Sequence, residues 1–223
     1  MDFFDDLPPE AALTPLAPGA VLLHGFARDE AGALLQAIES VLQQAPLRHW
    51  QTPGGYTMSV GMSNCGPLGW VSGVSGYRYA ACDPASSRPW PAMPACLMDL
   101  ARRAAAHAGY PDFEPDACLI NQYAPGAKLS LHQDKDEQDL SAPIVSLSLG
   151  LPAVFLFGTA SRTDRPQRWR LVHGDVVVWG GPSRLAFHGV NALADGEHVM
   201  VGRRRLNLTF RRVVKQAGLN FSL

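Results

Sequence analysis

Two residues separated by a single position, His132 and Asp134, have the types and spacing in this chain that could do the most chemistry. Side chains alternate between the two faces of an extended segment, so both would project from the same face. Two imidazoles and one carboxylate on one face of a metal leave its other positions open, which suits non-haem Fe(II) and oxygen chemistry. His188, far downstream, can supply the second imidazole. The sequence therefore predicts a metal site formed by His132, Asp134 and His188.

The same three residues are also compatible with an ordinary protein surface. A His-x-Asp sequence arises by chance in many chains, and His188 is one of seven histidines. The interpretation therefore depends on a second feature, the segment 205–211, which alternates polar and apolar residues. Read as a strand, it would place two sets of side chains on opposite faces, Leu206, Leu208 and Phe210 on one and Arg205, Asn207, Thr209 and Arg211 on the other.

The two arginines of this segment constrain what the polar face could bind. Two guanidinium groups inside a barrel would be costly without anionic partners. A dicarboxylate co-substrate would supply them, because the planar guanidinium fork can hold a carboxylate through two hydrogen bonds. The alternative is an edge strand with solvated arginines, which is common for an isolated alternating segment. Beside the predicted metal site, we favour the co-substrate interpretation.

Taken together, these residues resemble the AlkB family of iron- and 2-oxoglutarate-dependent nucleic-acid dealkylases, in particular its bacterial repair enzymes. The resemblance covers nearly the whole chain, and its long matching stretches make it specific. Besides the triad and segment 205–211, the matching stretches are Thr52–Val60, Asn121–Tyr123, Ala124–Lys128 and His173–Gly181.

The resemblance implies a reaction and the residues that serve it. Fe(II) would be held by the triad, with 2-oxoglutarate and O2 as co-substrates. The far carboxylate of 2-oxoglutarate would bind Arg205, and four further residues would complete the co-substrate site: Asn121, Tyr123, Asn207 and Arg211. The implied reaction is oxidative demethylation of bases such as 1-methyladenine and 3-methylcytosine in DNA or RNA, which releases formaldehyde, succinate and CO2.

Residues 50–92 are rich in Gly, Pro and aromatic residues and have few side chains for a core of their own, so we expect a lid over the site. The resemblance implies that this lid recognises the nucleotide. Trp70 could stack on a cationic methylated base, and Asp136 could accept a hydrogen bond from its exocyclic amine. The resemblance adds further substrate-binding residues: Met62, Tyr77 and Arg162. The alternatives are that about half of the lid aromatics only pack the lid onto the barrel, and that Asp136 is a solvated carboxylate.

Length and composition fit one catalytic domain over 1–223. The chain is 47% hydrophobic and has no long linker. A net charge of −1 gives no overall signature of nucleic-acid binding. The four cysteines have neither metal-type spacing nor disulfide density, so we expect free thiols. Without a signal sequence or a long apolar stretch, we expect a cytoplasmic monomer that does not contact membranes and binds alkylated nucleic acid, single-stranded DNA above all.

The pattern of elements predicts an α+β, mainly β fold with supporting helices before the strands. A helical stripe at Leu34, Ile38 and Val41 follows Asp29 as N-cap, and a second helix runs from about Pro94 to Gly109. After residue 115, short runs separated by turns indicate a double-stranded β-helix, or jelly roll, over about 115–212. Seven strands are predicted there: 117–123, 129–132, 144–149, 154–157, 169–171, 176–179 and 205–212.

Three residues depart from the family pattern: Gln122, where relatives often carry Arg, and Ala186 and Phe187 before His188, where we expect Phe and Tyr. They put substrate preference in doubt rather than reaction type. Two other functions remain open. One is a 2-oxoglutarate-dependent hydroxylase of a substrate other than nucleic acid, which would not need the aromatic lid. The other is a non-catalytic jelly-roll binding module with a structural metal.

Overall fold

The computed structural model describes residues 13–215. Within them lie two α-helices, α1 (Ala31–Gln44) and α2 (Ala95–His107), and a short 3-10 helix (Gly181–Ser183). The strands before α2 are β1 (Leu13–Ala17), β2 (Ala20–Leu23), β3 (Gly61–Cys65), β4 (Gly69–Gly73) and β5 (Gly76–Ala80). Those after it are β6 (Ala117–Tyr123), β7 (Leu129–His132), β8 (Ile144–Gly150), β9 (Ala153–Phe157), β10 (Gln167–Leu171), β11 (Val176–Trp179), β12 (His188–Val190) and β13 (Arg205–Arg211).

The strands form two facing antiparallel sheets, as in a jelly roll. The larger sheet has seven strands in the order β1-β2-β11-β8-β13-β6-β3, and the smaller has four in the order β10-β9-β12-β7. In the part of the chain that the structure describes, strands β4 and β5 pair only with each other, as a hairpin. The predicted mainly β fold with a double-stranded β-helix is confirmed. Within the described residues, no helix is long and apolar enough to cross a membrane.

Strand β13 lies in the middle of the larger sheet, between β6 and β8. Its apolar face packs on the helices, where Leu206, Leu208 and Phe210 join a buried cluster with residues of both helices. Its polar face points into the space between the two sheets. The alternative of an exposed edge strand is therefore wrong, and all seven residues of β13 are buried.

The helices cover the larger sheet as the apolar stripes predict. Leu34, Ile38 and Val41 are buried on α1. Asp29 is not the N-cap, however; Glu30 occupies that position and its side chain makes no capping hydrogen bond. Packing of the apolar stripe therefore fixes α1 without a side-chain cap.

Part of the chain before residue 115 belongs to the sheets rather than to helices or a separate cover. Strands β1 and β2 precede α1 and extend the larger sheet beside β11. Within 50–92, β3 is the edge strand next to β6, while the β4–β5 hairpin stands apart from the larger sheet. We call residues 69–80, which contain β4 and β5, the lid hairpin.

Candidate active site

The three predicted metal ligands come together at one end of the space between the sheets. Nε2 of His132 lies 3.7 Å from Oδ1 of Asp134, and Nε2 of His188 lies 3.8 Å from its Oδ2. The ligand atoms of the three residues all lie within 4.8 Å of one another, and within residues 13–215 this is the one such group. The spacing fits two imidazoles and a carboxylate around a single ion.

Hydrogen bonds to the backbone select the tautomer of each imidazole that can bind a metal. Nδ1 of His132 lies 2.9 Å from the carbonyl of Ser130, and Nδ1 of His188 lies 3.0 Å from that of Ala186. A carbonyl only accepts, so in the neutral ring Nδ1 carries the proton and Nε2 keeps its lone pair. Each histidine is therefore oriented by the residue two positions before it, and Nε2 faces Asp134.

Burial and charge keep these groups in their ligating states. Burial opposes ionisation of the Asp134 carboxyl, but the Arg211 guanidinium and the two imidazoles outweigh it and hold the pKa of Asp134 below its usual range. Burial, with His132 beside it, lowers the pKa of His188 to about 4. Near neutral pH the site therefore contains a carboxylate and a neutral, buried imidazole, which are the forms that bind a cation.

Two strands and a loop position the triad. His132 ends β7 and is paired in register with His188 on β12. Strand β7 ends at His132, as in the predicted strand 129–132, so Asp134 lies beyond it and is not part of the same strand as His132. Asp134 nevertheless reaches the histidines, because Arg211 holds its carboxylate and Arg184 holds its main chain.

At the other end of the polar face of β13, Arg205 is buried without an acidic partner. It is 1% exposed, and its Nη2 donates to Oγ of Ser148 at 2.9 Å. Its Nε and Nη1 have no hydrogen-bond partner within the described residues. Its Cζ lies 5.0 Å from the ring centre of Tyr123, and burial lowers its pKa. A buried cation with unused donors fits a ligand carboxylate.

Between the two arginines, the face of β13 carries a network of neutral polar groups. Asn121 donates to Oδ1 of Asn207 at 3.3 Å, and Asn207 donates to Oγ of Ser146 and to the carbonyl of Leu147 at 2.8 and 2.9 Å. Thr209 donates to Oδ1 of Asn207 at 3.2 Å. The predicted co-substrate residues Asn121, Tyr123, Arg205 and Asn207 therefore lie together along one floor.

Arg211 is placed differently from Arg205. Its Nε and Nη2 donate to Oδ2 of Asp134 at 2.9 and 2.6 Å, and its Nε lies 3.4 Å from Glu137. Burial opposes the charge, but Asp134 and Glu137 raise the pKa of Arg211 above its usual range. Its contacts are thus with Asp134, the predicted metal ligand, and with Glu137. A contact between Arg211 and 2-oxoglutarate remains a prediction.

The predicted substrate residues Trp70, Tyr77 and Asp136 meet at the mouth of the same cavity. The rings of Trp70 and Tyr77 are stacked with centroids 5.3 Å apart and planes 19° from parallel. Nε1 of Trp70 donates to Oδ2 of Asp136 at 3.3 Å. Asn64 fixes the main chain of Trp70 through two hydrogen bonds of 3.0 Å. Stacking of Trp70 on a base remains a prediction.

The remaining substrate candidates also line the cavity, at different depths. Met62 on β3 is 3% exposed and packs with the core between the sheets. Arg162 is exposed at the rim, with its Cζ 5.7 Å from the ring centre of Phe187. Phe187, one of the departures from the family pattern, therefore carries the contact to a predicted substrate residue.

The other departures lie elsewhere. Gln122 is absent from the cavity lining and accepts a hydrogen bond from Arg204 at 2.8 Å, while its neighbours Asn121 and Tyr123 face inward. Ala186 is buried and contributes its carbonyl to His188. Phe187 is thus the departure that contacts a predicted substrate residue, Arg162, and its influence on substrate preference remains a prediction.

Several residues that shape the site were not predicted from the sequence. Glu137 and Arg184 are buried and bonded to each other at 2.9 Å, and Ser148 bonds Arg205. No spacing rule identifies them, because their roles depend on loops that meet only in the folded chain. The sequence contained one signal for Glu137 and Arg184, which is that both are charged. A charged residue that becomes buried needs a partner of opposite charge.

One cavity of about 800 Å³ joins the triad, the floor of β13 and the lid hairpin. That volume lies within the range of small-molecule sites in proteins. An open face of two histidines and a carboxylate lies at one end, and the unsatisfied donors of Arg205 lie at the other. The residues present therefore fit a metal ion such as Fe(II), which the triad would hold on one side, together with an anionic co-substrate.

Fold and site together define a class of protein, the non-haem iron oxygenases that use a 2-oxo acid. The chain matches the 2OG-Fe(II) oxygenase superfamily over residues 19–211. It is 57% identical to the alpha-ketoglutarate-dependent dioxygenase AlkB of Escherichia coli (strain K12), over 97% of this chain and 99% of that protein. It is 34% identical to the tRNA demethylase abh1 of Schizosaccharomyces pombe, over 66% of this chain and 53% of that protein.

A solved structure, that of OsALKBH1, superimposes with a TM-score of 0.79 at 30% identity, covering 90% of this chain and 99% of that one. The chain therefore belongs to the AlkB family of 2OG-Fe(II) oxygenases. It is an Fe(II)- and 2-oxoglutarate-dependent dioxygenase, and its cofactor and co-substrates are Fe(II), 2-oxoglutarate and O2.

Proposed function

We propose that the protein repairs N-alkylated bases such as 1-methyladenine and 3-methylcytosine in DNA by oxidative demethylation, with RNA as an alternative substrate. The observation that carries this proposal is the single cavity in which aromatic residues of the lid hairpin stand beside the triad. The close relation to AlkB and the relation to a tRNA demethylase support a nucleic-acid substrate. They give no support to a hydroxylase of another substrate or to a non-catalytic module.

The reaction balances as an oxidation of a methyl group coupled to oxidation of the co-substrate. One atom of O2 enters succinate as 2-oxoglutarate loses CO2, and the other converts the N-methyl group into an N-hydroxymethyl group. That group breaks its C–N bond: the electron pair stays on the ring nitrogen of the repaired base, the hydroxyl group loses its proton, and formaldehyde leaves. Fe(II), when bound with 2-oxoglutarate, would activate O2, which is the oxidant of both substrates.

The proposed roles of the protein's own groups follow from where they lie. His132, Asp134 and His188 would hold the iron, with the two Nδ1–H groups locked on backbone carbonyls. Arg205 would hold the far carboxylate of 2-oxoglutarate through donors that are otherwise unused. Asn121, Tyr123 and Asn207 would line the co-substrate between these ends, and Arg211 would restrain Asp134 beside it.

The base would enter from the side of the lid hairpin. Trp70 and Tyr77 offer an aromatic surface to a base that is cationic when methylated on its pairing edge. Asp136 would add a negative charge and an acceptor for an exocyclic amine, and Arg162 would contact a phosphate. Met62 lines the cavity wall, and Arg162 lies at its rim. A lesion that cannot pair is extracted at lower cost, which favours damaged over intact bases.

A comparison of substrates tests the proposal. Formaldehyde release would be measured with iron, 2-oxoglutarate and ascorbate on methylated single-stranded DNA, duplex DNA, RNA and the free nucleoside. We expect turnover on oligonucleotides, fastest on single strands, and little on the nucleoside. No formaldehyde from any methylated nucleic acid, with intact turnover of 2-oxoglutarate alone, would refute the proposed substrate.

We also propose that the protein acts as a monomer in the cytoplasm. One copy of the chain contains the triad, the floor of β13 and the lid aromatics in one cavity, which supports a monomer. A lesion in a single strand needs no strand separation, which supports single-stranded DNA as the favoured substrate. Light scattering of the purified protein, with and without a methylated oligonucleotide, checks the oligomeric state. Fractionation of cells that produce the protein checks its location.

A further inference from the structure

The loop between Asp134 and β8 carries a buried carboxylate, Glu137, that has no role in the proposed reaction. Its side chain is 2% exposed, although a carboxylate is costly to remove from water unless each oxygen finds a partner. It lies three residues after the metal ligand Asp134. What Glu137 contacts therefore shows what this buried charge can do.

Three different elements meet at Glu137. Its Oε1 accepts a hydrogen bond from the hydroxyl of Tyr79 in the lid hairpin at 2.5 Å. Its Oε2 accepts one from Nη2 of Arg184, on the segment before β12, at 2.9 Å. Nε of Arg211 on β13 lies 3.4 Å from its Oε1. With Asp134, the cluster contains two carboxylates and two guanidinium groups, so its formal charges balance.

Both arginines that contact Glu137 also hold Asp134. Nη1 of Arg184 donates to the main-chain carbonyl of Asp134 at 2.7 Å, and its Nε donates to the carbonyl of Ala142 at 2.9 Å. Arg211 holds the carboxylate of Asp134 through two hydrogen bonds. Because Asp134 lies beyond the end of β7, these contacts replace the strand pairing that would otherwise fix it.

Glu137 also supplies the better protected of two links between the lid hairpin and this loop. The other link, from Trp70 to Asp136, is 3.3 Å long and exposed, so water competes with it. The link from Tyr79 to Glu137 is shorter and partly buried. Trp70 and Tyr79 are paired directly across the hairpin, so a shift of Tyr79 also shifts the aromatic surface.

We propose that Glu137 is a positioning residue that couples the docking of the lid hairpin, through Tyr79, to the orientation of the metal ligand Asp134, through Arg184 and Arg211. This inference rests on the proposed triad but not on the nucleic-acid substrate. Coupling between two events is reciprocal. A metal ion on the triad should therefore hold the hairpin down, and loss of the hairpin contact should weaken the hold on the metal.

Limited proteolysis measures the hairpin independently of catalysis. Arg78 is exposed on β5, one residue before Tyr79, so trypsin cleavage after Arg78 reports opening of the hairpin. We expect saturating Mn²⁺ alone to slow this cleavage in the parent protein by about tenfold, within the range of ordinary couplings. Tyr79→Phe keeps the ring and removes the link to Glu137, so this protection should fall below about twofold although Mn²⁺ still binds.

Glu137→Gln tests the other side of the coupling. It removes the carboxylate charge that Arg184 contacts and the second of the two carboxylate charges beside Arg211, so Mn²⁺ affinity, measured by calorimetry, should fall by about tenfold or more. The expected order of metal affinity is parent, then Tyr79→Phe, then Glu137→Gln. Should Glu137→Gln not fold, Tyr79→Phe decides the matter through its loss of metal-dependent protection.

Asp139→Asn is the matched control. Asp139 is another buried acid of the same loop and accepts a hydrogen bond from Nε of Arg212 at 2.7 Å. This variant should keep both the metal affinity and the protection of the parent. Parental protection in both Tyr79→Phe and Glu137→Gln, or an equal loss in Asp139→Asn, would overturn the proposal. Failure of the substrate proposal would instead appear as no formaldehyde from methylated nucleic acid, with this coupling intact.

Discussion

Arg205 and Arg211 occupy the two ends of one strand face, and their surroundings differ in kind. Arg211 donates to Asp134 and lies close to Glu137, so its charge is compensated by the protein itself. Arg205, equally buried, has one hydrogen bond to Ser148 and two donor atoms without a partner within the described residues. The same residue type is therefore held by carboxylates at the metal end, as a structural clamp, and has unpaired donors at the other end, where we propose that it is a receptor for the co-substrate.

The difference shows that folding leaves Arg205 with buried hydrogen-bond donors that a ligand could pair. An uncompensated buried guanidinium disfavours the free protein, because its lost hydration is not replaced. Such a group persists where its donors are needed for binding. A buried polar group without a hydrogen-bond partner therefore commonly marks a functional site. Arg205 thus points to the co-substrate more directly than any of the satisfied groups around it.

The largest expected effect is at the metal end. Replacing His132, Asp134 or His188 with Ala should abolish formaldehyde release while the protein stays folded, because the two sheets are held by apolar clusters rather than by the ion. Activity and circular dichroism would be measured on the same preparations. Parental turnover in a folded His188→Ala protein would rule out the assigned triad.

The next effect separates the two arginines directly. Arg211→Met leaves two carboxylates without this cation, so the free energy of unfolding should fall by about 3–5 kcal/mol, the range for a broken buried pair. Arg205→Met removes a cation with no acidic partner, so stability should hold or rise. Its affinity for 2-oxoglutarate, however, should fall by about a hundredfold or more, since the bound carboxylate loses its charged partner.

Urea unfolding and calorimetric titration of 2-oxoglutarate would be done on both variants. The crossed pattern is the informative result: one variant loses stability and the other loses co-substrate. Equal losses of stability in the two variants, or an unchanged affinity in Arg205→Met, would remove the distinction between clamp and receptor.

The floor of the site could be predicted from the sequence because it depends on strand periodicity. In segment 205–211 the alternation alone placed Arg205 and Arg211 on one face, and β13 has that register. Strands β3 and β12 could not be predicted in this way. The first, with sequence GMSNC, has few residues that favour strands, and the second is a three-residue strand with a central glycine.

The way in which Asp134 and Glu137 are held could not be predicted either. The spacing of His132 and Asp134 correctly predicted that they share a site. The reason given, that both lie on one extended segment, does not hold as a strand, because β7 ends at His132. What brings Asp134 into place is a set of ionic contacts from Arg184 and Arg211, residues 50 and 77 positions further along the chain. Such long-range contacts leave no periodic signal in a single sequence.

A smaller effect is expected at the lid hairpin, which contributes binding surface rather than ligands. Trp70→Ala should lose about 1–3 kcal/mol of substrate stabilisation, the range for a base stacked on an aromatic residue. Turnover of 2-oxoglutarate without nucleic acid should stay near the parental rate, because the hydrogen bonds and the ring contact of Trp70 go to Asn64, Asp136 and Tyr77 rather than to the triad or Arg205. Demethylation of methylated oligonucleotides would be measured at subsaturating substrate.

Two results would contradict that assignment. Parental demethylation by Trp70→Ala would make Trp70 a packing residue that rests on Tyr77. If turnover of 2-oxoglutarate without nucleic acid fell as much as demethylation does, Trp70 would instead support the metal triad. Asp136→Asn serves as a companion variant, since it removes a charge at the mouth of the cavity and keeps the hydrogen-bond acceptor for Trp70.

The smallest effect is expected at His173, a further group with an unpartnered nitrogen but outside the cavity. Its Nδ1 accepts a hydrogen bond from the amide of Gly150 at 3.0 Å, and burial, with His198 and Arg28 beside it, lowers its pKa to about 4. An unfolded histidine takes up its proton near pH 6.5, so the unfolded chain binds the proton first as the pH falls. Stability is therefore unaffected above that pH and is lost between about pH 6.5 and 4.

His173→Asn removes this titration. Between pH 7.5 and 4.5 the parent should lose about 1–2 kcal/mol more free energy of unfolding than the variant, a figure reduced for the partial exposure of the ring. The affinity for 2-oxoglutarate should be the same in both, because an unpartnered nitrogen marks a ligand site only where it faces a cavity that can hold the ligand. An identical pH dependence of the urea midpoint in the two proteins would show that His173 titrates normally, and a changed co-substrate affinity would break the contrast with Arg205.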